Sequence, residues 1–324
     1  MNKAAVLILF ISLAMSGCGD DPAHEEGLTI TTLAGYADDA PGSKDGAGAV
    51  ARFAYPSGIT VDTDGNLYVT DSNIRKITPD GVVTTLVVKV VAEPVQLSGL
   101  TDISCDNDGN LYVSDANYER AYRIDQGGQA QYVDIPAAGA IVVDDSGNVF
   151  VGTLSNIVKI SPNGDMQSYA GSGSQGFADG DLSTARFGAI TGLDIDSDGN
   201  LYVADRGNKR IRKVTSTGVT TIAVSGADSE FINLSGIGVD PGGNIYVGDQ
   251  LTKQDLTQTT LISVVKRITP GGSVQIVAGG EYGFADGHGS KAQFRGISDV
   301  VVDRNGVVYI VDAAANTIRK GIFE

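Results

Sequence analysis

The chain has 324 residues, enough for one large domain or two ordinary ones, with 43 Gly, no Trp and a net charge of −16. Abundant Gly beside frequent Val, Ile, Thr and Tyr points to an all-β chain of short strands joined by tight turns. The acidic balance argues against nucleic acid as a partner, since affinity for phosphate backbones comes from cations that displace counterions.

The chain opens on Met1-Asn2-Lys3, followed by an apolar run of 12 residues from Ala4 to Met15. That run is too short to span a bilayer comfortably and suits the core of a signal peptide. It ends in Met15-Ser16-Gly17-Cys18, which resembles the lipobox of bacterial lipoproteins. The resemblance implies cleavage before Cys18, diacylation of its thiol and firm attachment to a membrane through several acyl chains. Gly19, where inner-membrane retention usually requires Asp, implies sorting to the outer membrane. Residues 1–17 are then a signal peptide, 18–27 a lipidated polar tether and 28–324 a folded domain in the cell envelope. Lys3 is the one charge removed, so a chain beginning at Cys18 carries −17, a charge that also keeps an exported protein soluble. Cys105 is left without an intramolecular partner, so no disulfide framework is available. It falls where other repeats hold Val or Ile, which reads as apolar packing.

From Gly58 the string GITVDTDGNLYVTDSN begins a unit that recurs. It returns as SCDNDGNLYVSDAN from Ser104, VVDDSGNVFVGT from Val142, DIDSDGNLYVADRGN from Asp194, GVDPGGNIYVGDQ from Gly238 and VVDRNGVVYIVDAAAN from Val301. The anchoring glycines (Gly65, Gly109, Gly147, Gly199, Gly243 and Gly306) are 38 to 63 residues apart, the length of a four-stranded propeller blade. Each unit reads as a strand, an Asp/Gly/Asn turn, a second strand, a polar corner, a third strand, a Gly turn and a fourth strand. The second strand carries one aromatic per unit, at Tyr68, Tyr112, Phe150, Tyr202, Tyr246 and Tyr309, read as packing between blades. These strings resemble NHL repeats over roughly residues 28–324, and the resemblance implies a six-bladed β-propeller.

The last unit ends after its third strand, at Thr317 to Phe323, whereas Leu28 to Gly35 matches the fourth-strand strings from Val219 and Val274. The N-terminal strand is therefore expected to complete the sixth blade and seal the sheet edges. The connections into blades 1, 4 and 6 share a motif in which Asp45, Asp179 and Asp286 precede Phe53, Phe187 and Phe294 by eight residues. It reads as an Asp-Gly turn with a Phe plug over the next blade, and Arg52 and Arg186 bonding locally. A long insertion in the fifth unit, Gln250 to Ile262, reads either as a partner-specific element or as a solvated hairpin.

Candidate site residues lie near the start of the innermost strands, at the channel mouth. One position holds Ser57, Thr101, Gly139, Thr191, Ser235 and Ser298; the next holds Gly58, Asp102, Ala140, Gly192, Gly236 and Asp299. Asp194 lies two residues further along in blade 4. Ser57, Thr101, Asp102, Thr191, Asp194, Ser235 and Asp299 form the expected ligand-binding set, with Asp102, Asp194 and Asp299 as ligands of a divalent cation. The alternative is a hydrated channel in which these groups bond to the backbone. A second ring, Asp71, Asp115, Asp205, Asp249 and Asp312, with Arg75, Arg210, Arg212 and Arg319 nearby, reads as corner fixing. The strings DTDGN, DNDGN and DSDGN lack the Glu an EF-hand loop needs at its twelfth position, so turn chemistry accounts for them.

Two histidines, His24 and His288, cannot build a three-His metal centre, which argues against the activity of the NHL-type peptide-amidating lyases. Streptogramin-lyase propellers also rely on histidine, and no Ser-His-Asp set with a credible base can be assembled. Gluconolactonase-type propellers hold a cation with Glu, Asn and Asp, which keeps a cation-dependent hydrolase or lyase open as the rival. The leading expectation is a monomeric, non-enzymatic scaffold that binds an envelope protein or a small ligand. Glycan binding is a weaker third reading, since Trp is absent.

Overall fold

A computed structural model describes residues 27–37, 40–90, 97–135, 139–254 and 259–323. Cys18, the expected lipid site, lies outside the described residues.

Six sheets, each with four antiparallel blade strands, form a ring, the inner strand of each contacting the inner strand of the next and blade 6 returning to blade 1. Blade 1 runs outward as Ile59–Val61, Leu67–Thr70, Ile74–Ile77 and Val82–Thr85. The inner strands of the others are Leu100–Cys105, Ile141–Val143, Ile190–Ile195, Leu234–Val239 and Ile297–Val302. Blade 6 takes its outer strand from the other end of the chain. Leu28–Gly35 pairs antiparallel with Thr317–Phe323, setting Leu28 opposite Phe323. The ring closes as the repeated strings imply.

The Asp that ends each inner strand builds the turn that follows. Asp62 accepts the N–H groups of Asp64 and Asn66 on one oxygen, and Asn66 Nδ2 and the Tyr68 hydroxyl on the other. Asp106, Asp196 and Asp240 repeat this with Tyr112, Tyr202 and Tyr246. Gly65 takes the positive φ (82°) that the turn demands. The calcium-like strings are thus self-bonded turns. The aromatic ring packs between blades: Tyr68 joins Leu100 and Ile103 of blade 2, and Tyr309 joins Ile59 and Val69 of blade 1. Cys105 is half-buried in the seam of blades 1 and 2, with Sγ 3.2 Å from the Val61 carbonyl. Burial pushes its thiol up to about 11, so it is no thiolate nucleophile at neutral pH.

In blades 1, 4 and 6 the incoming loop folds back over its own blade. Asp45 accepts Thr85 N–H and Oγ1 and pairs with Arg75 at 2.9 Å. Asp179 does the same with Thr221 and Arg212, and Asp286 with Thr32 and Arg319. Each of these arginines is fully buried and pairs again with the corner carboxylate, Asp71, Asp205 or Asp312, at 2.8–3.4 Å. The plug residues Phe53, Phe187 and Phe294 lie 5.1–5.2 Å from the guanidinium carbons, with Phe177 and Phe284 as second rings over Arg212 and Arg319. In blade 5, Lys266 replaces the arginine, against Asp249 and Phe231. Arg210 stays exposed and bonds the Lys209 carbonyl, so it does not serve the ring. Arg52 bonds locally, to the carbonyls of Ala49 and Ala51.

The blade 5 insertion extends its second and third strands, Ile245–Gln254 and Thr259–Ile268, into a hairpin paired out to Gln254 and Thr259. By the up-and-down order of the strands, this hairpin shares a face with the blade-to-blade loops. The tight turns occupy the opposite face.

Arg319→Ala should cost about 3–5 kcal/mol in urea unfolding, because it strands a buried carboxylate, whereas Asp286→Asn, at a half-exposed group, should cost no more than about 1 kcal/mol. Equal losses would place the stabilising pair at Asp286 instead of Asp312.

Candidate functional site

The channel-mouth residues stand on adjacent inner strands, and their polar atoms point at the neighbouring blade. Ser57 Oγ donates to the Leu100 carbonyl (3.0 Å) and Thr191 Oγ1 to that of Leu234 (3.1 Å). Ser298 Oγ donates to the Ser57 carbonyl at 2.8 Å. Thr101 lies 2.7 Å from Ser114 Oγ, which donates to Gly139 at 2.6 Å. Ser235 Oγ alone in this ring has no partner among the described residues.

The carboxylates do the complementary work. Asp102 accepts the N–H of Ile103 on one oxygen and that of Ile141, in blade 3, on the other (2.8 and 2.9 Å). Asp194 accepts from Ile195 and from Val239 of blade 5, and Asp299 from Val300 and from Ile59 of blade 1. Glycine on the preceding blade makes the room. A Cβ on Gly58 would stand 2.6 Å from the Asp102 Cα, and one on Gly236 would overlap the Asp299 carboxylate. The set expected to hold a ligand therefore joins blades together. Among the described residues, no group of three His, Cys, Asp or Glu side chains is arranged to hold a metal ion, and both oxygens of Asp102, Asp194 and Asp299 already accept backbone N–H groups.

These repeats have a family match. The family model of the NHL repeat matches residues 53–73 and 187–214, in blades 1 and 4. Blades 1 and 4 thus carry the NHL repeat pattern. No curated protein sequence matches it. Among solved structures it is similar to a structural-genomics protein of unknown function from Bacteroides thetaiotaomicron VPI-5482, at 18% identity and TM-score 0.72, over 92% of this chain and 76% of that one. It is also similar to a gluconolactonase from Xanthomonas campestris (14%, TM-score 0.58, covering 92% and 90%). A third is virginiamycin B lyase from Staphylococcus aureus (13%, TM-score 0.57, covering 92% and 99%). At these identities the likeness speaks for the fold alone.

Inside the propeller, Asp102, Asp194 and Asp299 border one cavity of about 40 Å³. That is room for a few waters and far below the hundreds of Å³ a ligand pocket needs. Ligand-sized grooves lie between blades on the turn side. One of about 530 Å³ separates blades 1 and 2. Another, of about 660 Å³, separates blades 2 and 3 and is lined by Tyr112, Arg123, Gln131, Asn107 and Asp145. Repeat alignment does not reveal these grooves, because they arise from the wedge between two blades and belong to neither.

Burial in the channel raises the carboxylates. Desolvation pushes Asp102 and Asp194 up to about 7, against the backbone N–H groups that favour the anion, and Asp299 rises in the same direction with Asp102 adding repulsion. Between the ordinary carboxylate range and pH 7 the folded state keeps protons that the unfolded chain has released, so stability falls as pH rises through that window. Asp45 behaves oppositely: burial alone would raise it, but hydrogen bonds from Thr85 and the Arg75 charge outweigh that and hold it low, a contribution lost only in stronger acid. The thermal midpoint should therefore be several degrees higher at pH 5.5 than at pH 8, and Asp299→Asn should flatten the difference. A midpoint that rises with pH across this range would contradict the assignment.

Proposed function

We propose that this protein is a lipid-tethered, extracytoplasmic NHL propeller that works as a monomeric, non-enzymatic binding scaffold in the bacterial cell envelope, the outer membrane favoured. The lipobox-like Met15 to Cys18 and the polar tether support the address, and the charge of −16 argues against nucleic acid. One observation carries the scaffold reading: the hydroxyls and carboxylates of the channel mouth bond neighbouring inner strands, and the cavity they border, about 40 Å³, is too small to admit a substrate. The ligand is a protein or a small molecule, and the groove between blades 2 and 3, with Tyr112 and Arg123, suits the latter.

The second reading is a divalent-cation-dependent hydrolase or lyase at Asp102, Asp194 and Asp299. It draws on the single cavity these three share. Thermal unfolding in EDTA, then with calcium, magnesium, manganese or zinc, separates the two, because a cation that binds the native state raises its midpoint. The scaffold reading expects shifts within about 1 °C for every metal. A large, metal-selective rise abolished by Asp102→Asn would replace it with the hydrolase or lyase.

A further inference from the structure

Blade 3 differs from the other blades at its outer edge. In each of the others a segment of the incoming chain lies along the fourth strand. Gly46–Ala47 pairs with Val82–Thr85 in blade 1, Lys89–Val90 with Gln129–Asp134 in blade 2, and Gly287–His288 with Leu28–Gly35 in blade 6. Gly180 bridges Val219 in blade 4, and Ser225 bridges Ser273 in blade 5. Among the described residues nothing pairs with the outer side of Met166–Ala170, the fourth strand of blade 3.

Chain length explains the difference. The strand before blade 1 ends at Gly35 and the plug is Phe53, which leaves a long stretch to form a strap. Before blades 4 and 6 the corresponding residues are Ala170 and Phe187, then Gly279 and Phe294. Before blade 3 the strand ends at Asp134, and the next residue, Ile135, is already the wholly buried plug. No residues lie between them to build a strap. The arginine and corner carboxylate that hold straps elsewhere are missing too, replaced by Val158 and Thr153.

What remains is a groove of about 430 Å³, lined by Leu154, Val158, Met166 and Ser168 among others. Met166 is 49% exposed, whereas Val83, Val219 and Ile30, at the same register in strapped blades, are at most 1% exposed. Ser168 stands at the register of Thr85, Thr221 and Thr32, whose N–H groups face outward onto strap carboxylates. Met166–Ala170 carries no charged side chain to guard it. An uncharged edge with free N–H groups beside exposed apolar side chains is open to a further strand.

The straps themselves show which strand fits. In each, an Asp accepts the N–H and hydroxyl of the threonine at the Ser168 register. The glycine after it pairs at the Met166 register, with φ of 142–151° at Gly46, Gly180 and Gly287, a region that favours glycine. In blades 4 and 6 the strap reads Gly-Phe-Ala-Asp-Gly, at residues 176–180 and 283–287. Ser168 offers the same N–H and hydroxyl. Phe177 and Phe284 rest on buried guanidiniums, and in blade 3 Val158 takes the place of that group. We propose that the open edge of blade 3 binds, antiparallel, an extended segment of a partner protein with an aromatic residue two places before Asp-Gly. The partner supplies in trans the strap that this blade lacks. The proposal rests on the scaffold reading and gives its partner a chemistry.

A labelled peptide with the sequence of residues 281–290 is the probe, titrated into the full-length protein in detergent and followed by fluorescence anisotropy. One-to-one saturation below about 1 mM is expected, with affinity falling at least about tenfold when the peptide's Asp becomes Ala. Ser168→Pro, which removes an outward N–H on an edge strand, should abolish binding. Met166→Lys, at an exposed position, should weaken it at least about tenfold and leave the thermal midpoint unchanged, so the test stands even if the proline variant fails to fold. No saturation, or binding that survives Met166→Lys, would overturn the proposal. So would a dimer in sedimentation that Met166→Lys dissociates, because the occupant would then be a second copy. None of these results removes the scaffold reading, which falls only to the metal-selective rise described above.

Discussion

A propeller blade is a small sheet with two apolar faces, and it can bury them only against the blades on either side. Stability therefore belongs to the interfaces, and the last one must be made as well as the first. Here that interface depends on Leu28–Gly35, a strand separated by nearly the whole chain from its partner Thr317–Phe323. Leu28 and Ile30 are wholly buried in the seam of blades 5 and 6 with Phe294 and Val300, so closure and core packing are one event. Asp286 fastens the same strand by accepting from Thr32, and His288 Nδ1 lies 3.0 Å from Thr29 Oγ1.

Polar groups repeat the theme nearer the axis. Where inner strands approach most closely, at Gly58 against Asp102 and Gly236 against Asp299, a side chain on the facing strand has no room, and short carboxylates and hydroxyls join blade to blade. A carboxylate placed between two backbone N–H groups recovers part of the solvation lost on burial, and desolvation still raises it. Further out, where loops need anchoring, arginine takes over. Through their terminal nitrogens Arg75, Arg212 and Arg319 each reach two carboxylates and two backbone carbonyls beside an aromatic ring, which makes a buried guanidinium tolerable even though each Nε lacks a partner among the described residues.

The fold was legible in residues because each blade repeats its own instructions. Asp62, Gly65, Asn66 and Tyr68 specify a turn and a strand together, and five further copies in register leave little choice of architecture. The plug motif is legible in part: the spacing of Asp45 and Phe53 points to the turn and the plug, whereas nothing in that spacing shows that Arg75 is buried between them. Aligning Gly-Phe-Ala-Asp-Gly at Gly176 and Gly283 would have shown the second rings, Phe177 and Phe284. The channel carried a subtler signal, since Gly58 and Gly236 occupy on neighbouring blades the position held by Asp102 and Asp299.

Local sequence thus determined the blades, their number and the order of their strands, because turns, alternation and aromatic positions act within a few residues of themselves. Tertiary structure decided what the conspicuous polar residues do. Asp102 and Ile141 are distant in sequence yet bonded in space, and whether a carboxylate meets a ligand or a neighbour's N–H depends on how closely two inner strands approach. That distance is a property of the closed ring, and no single repeat contains it.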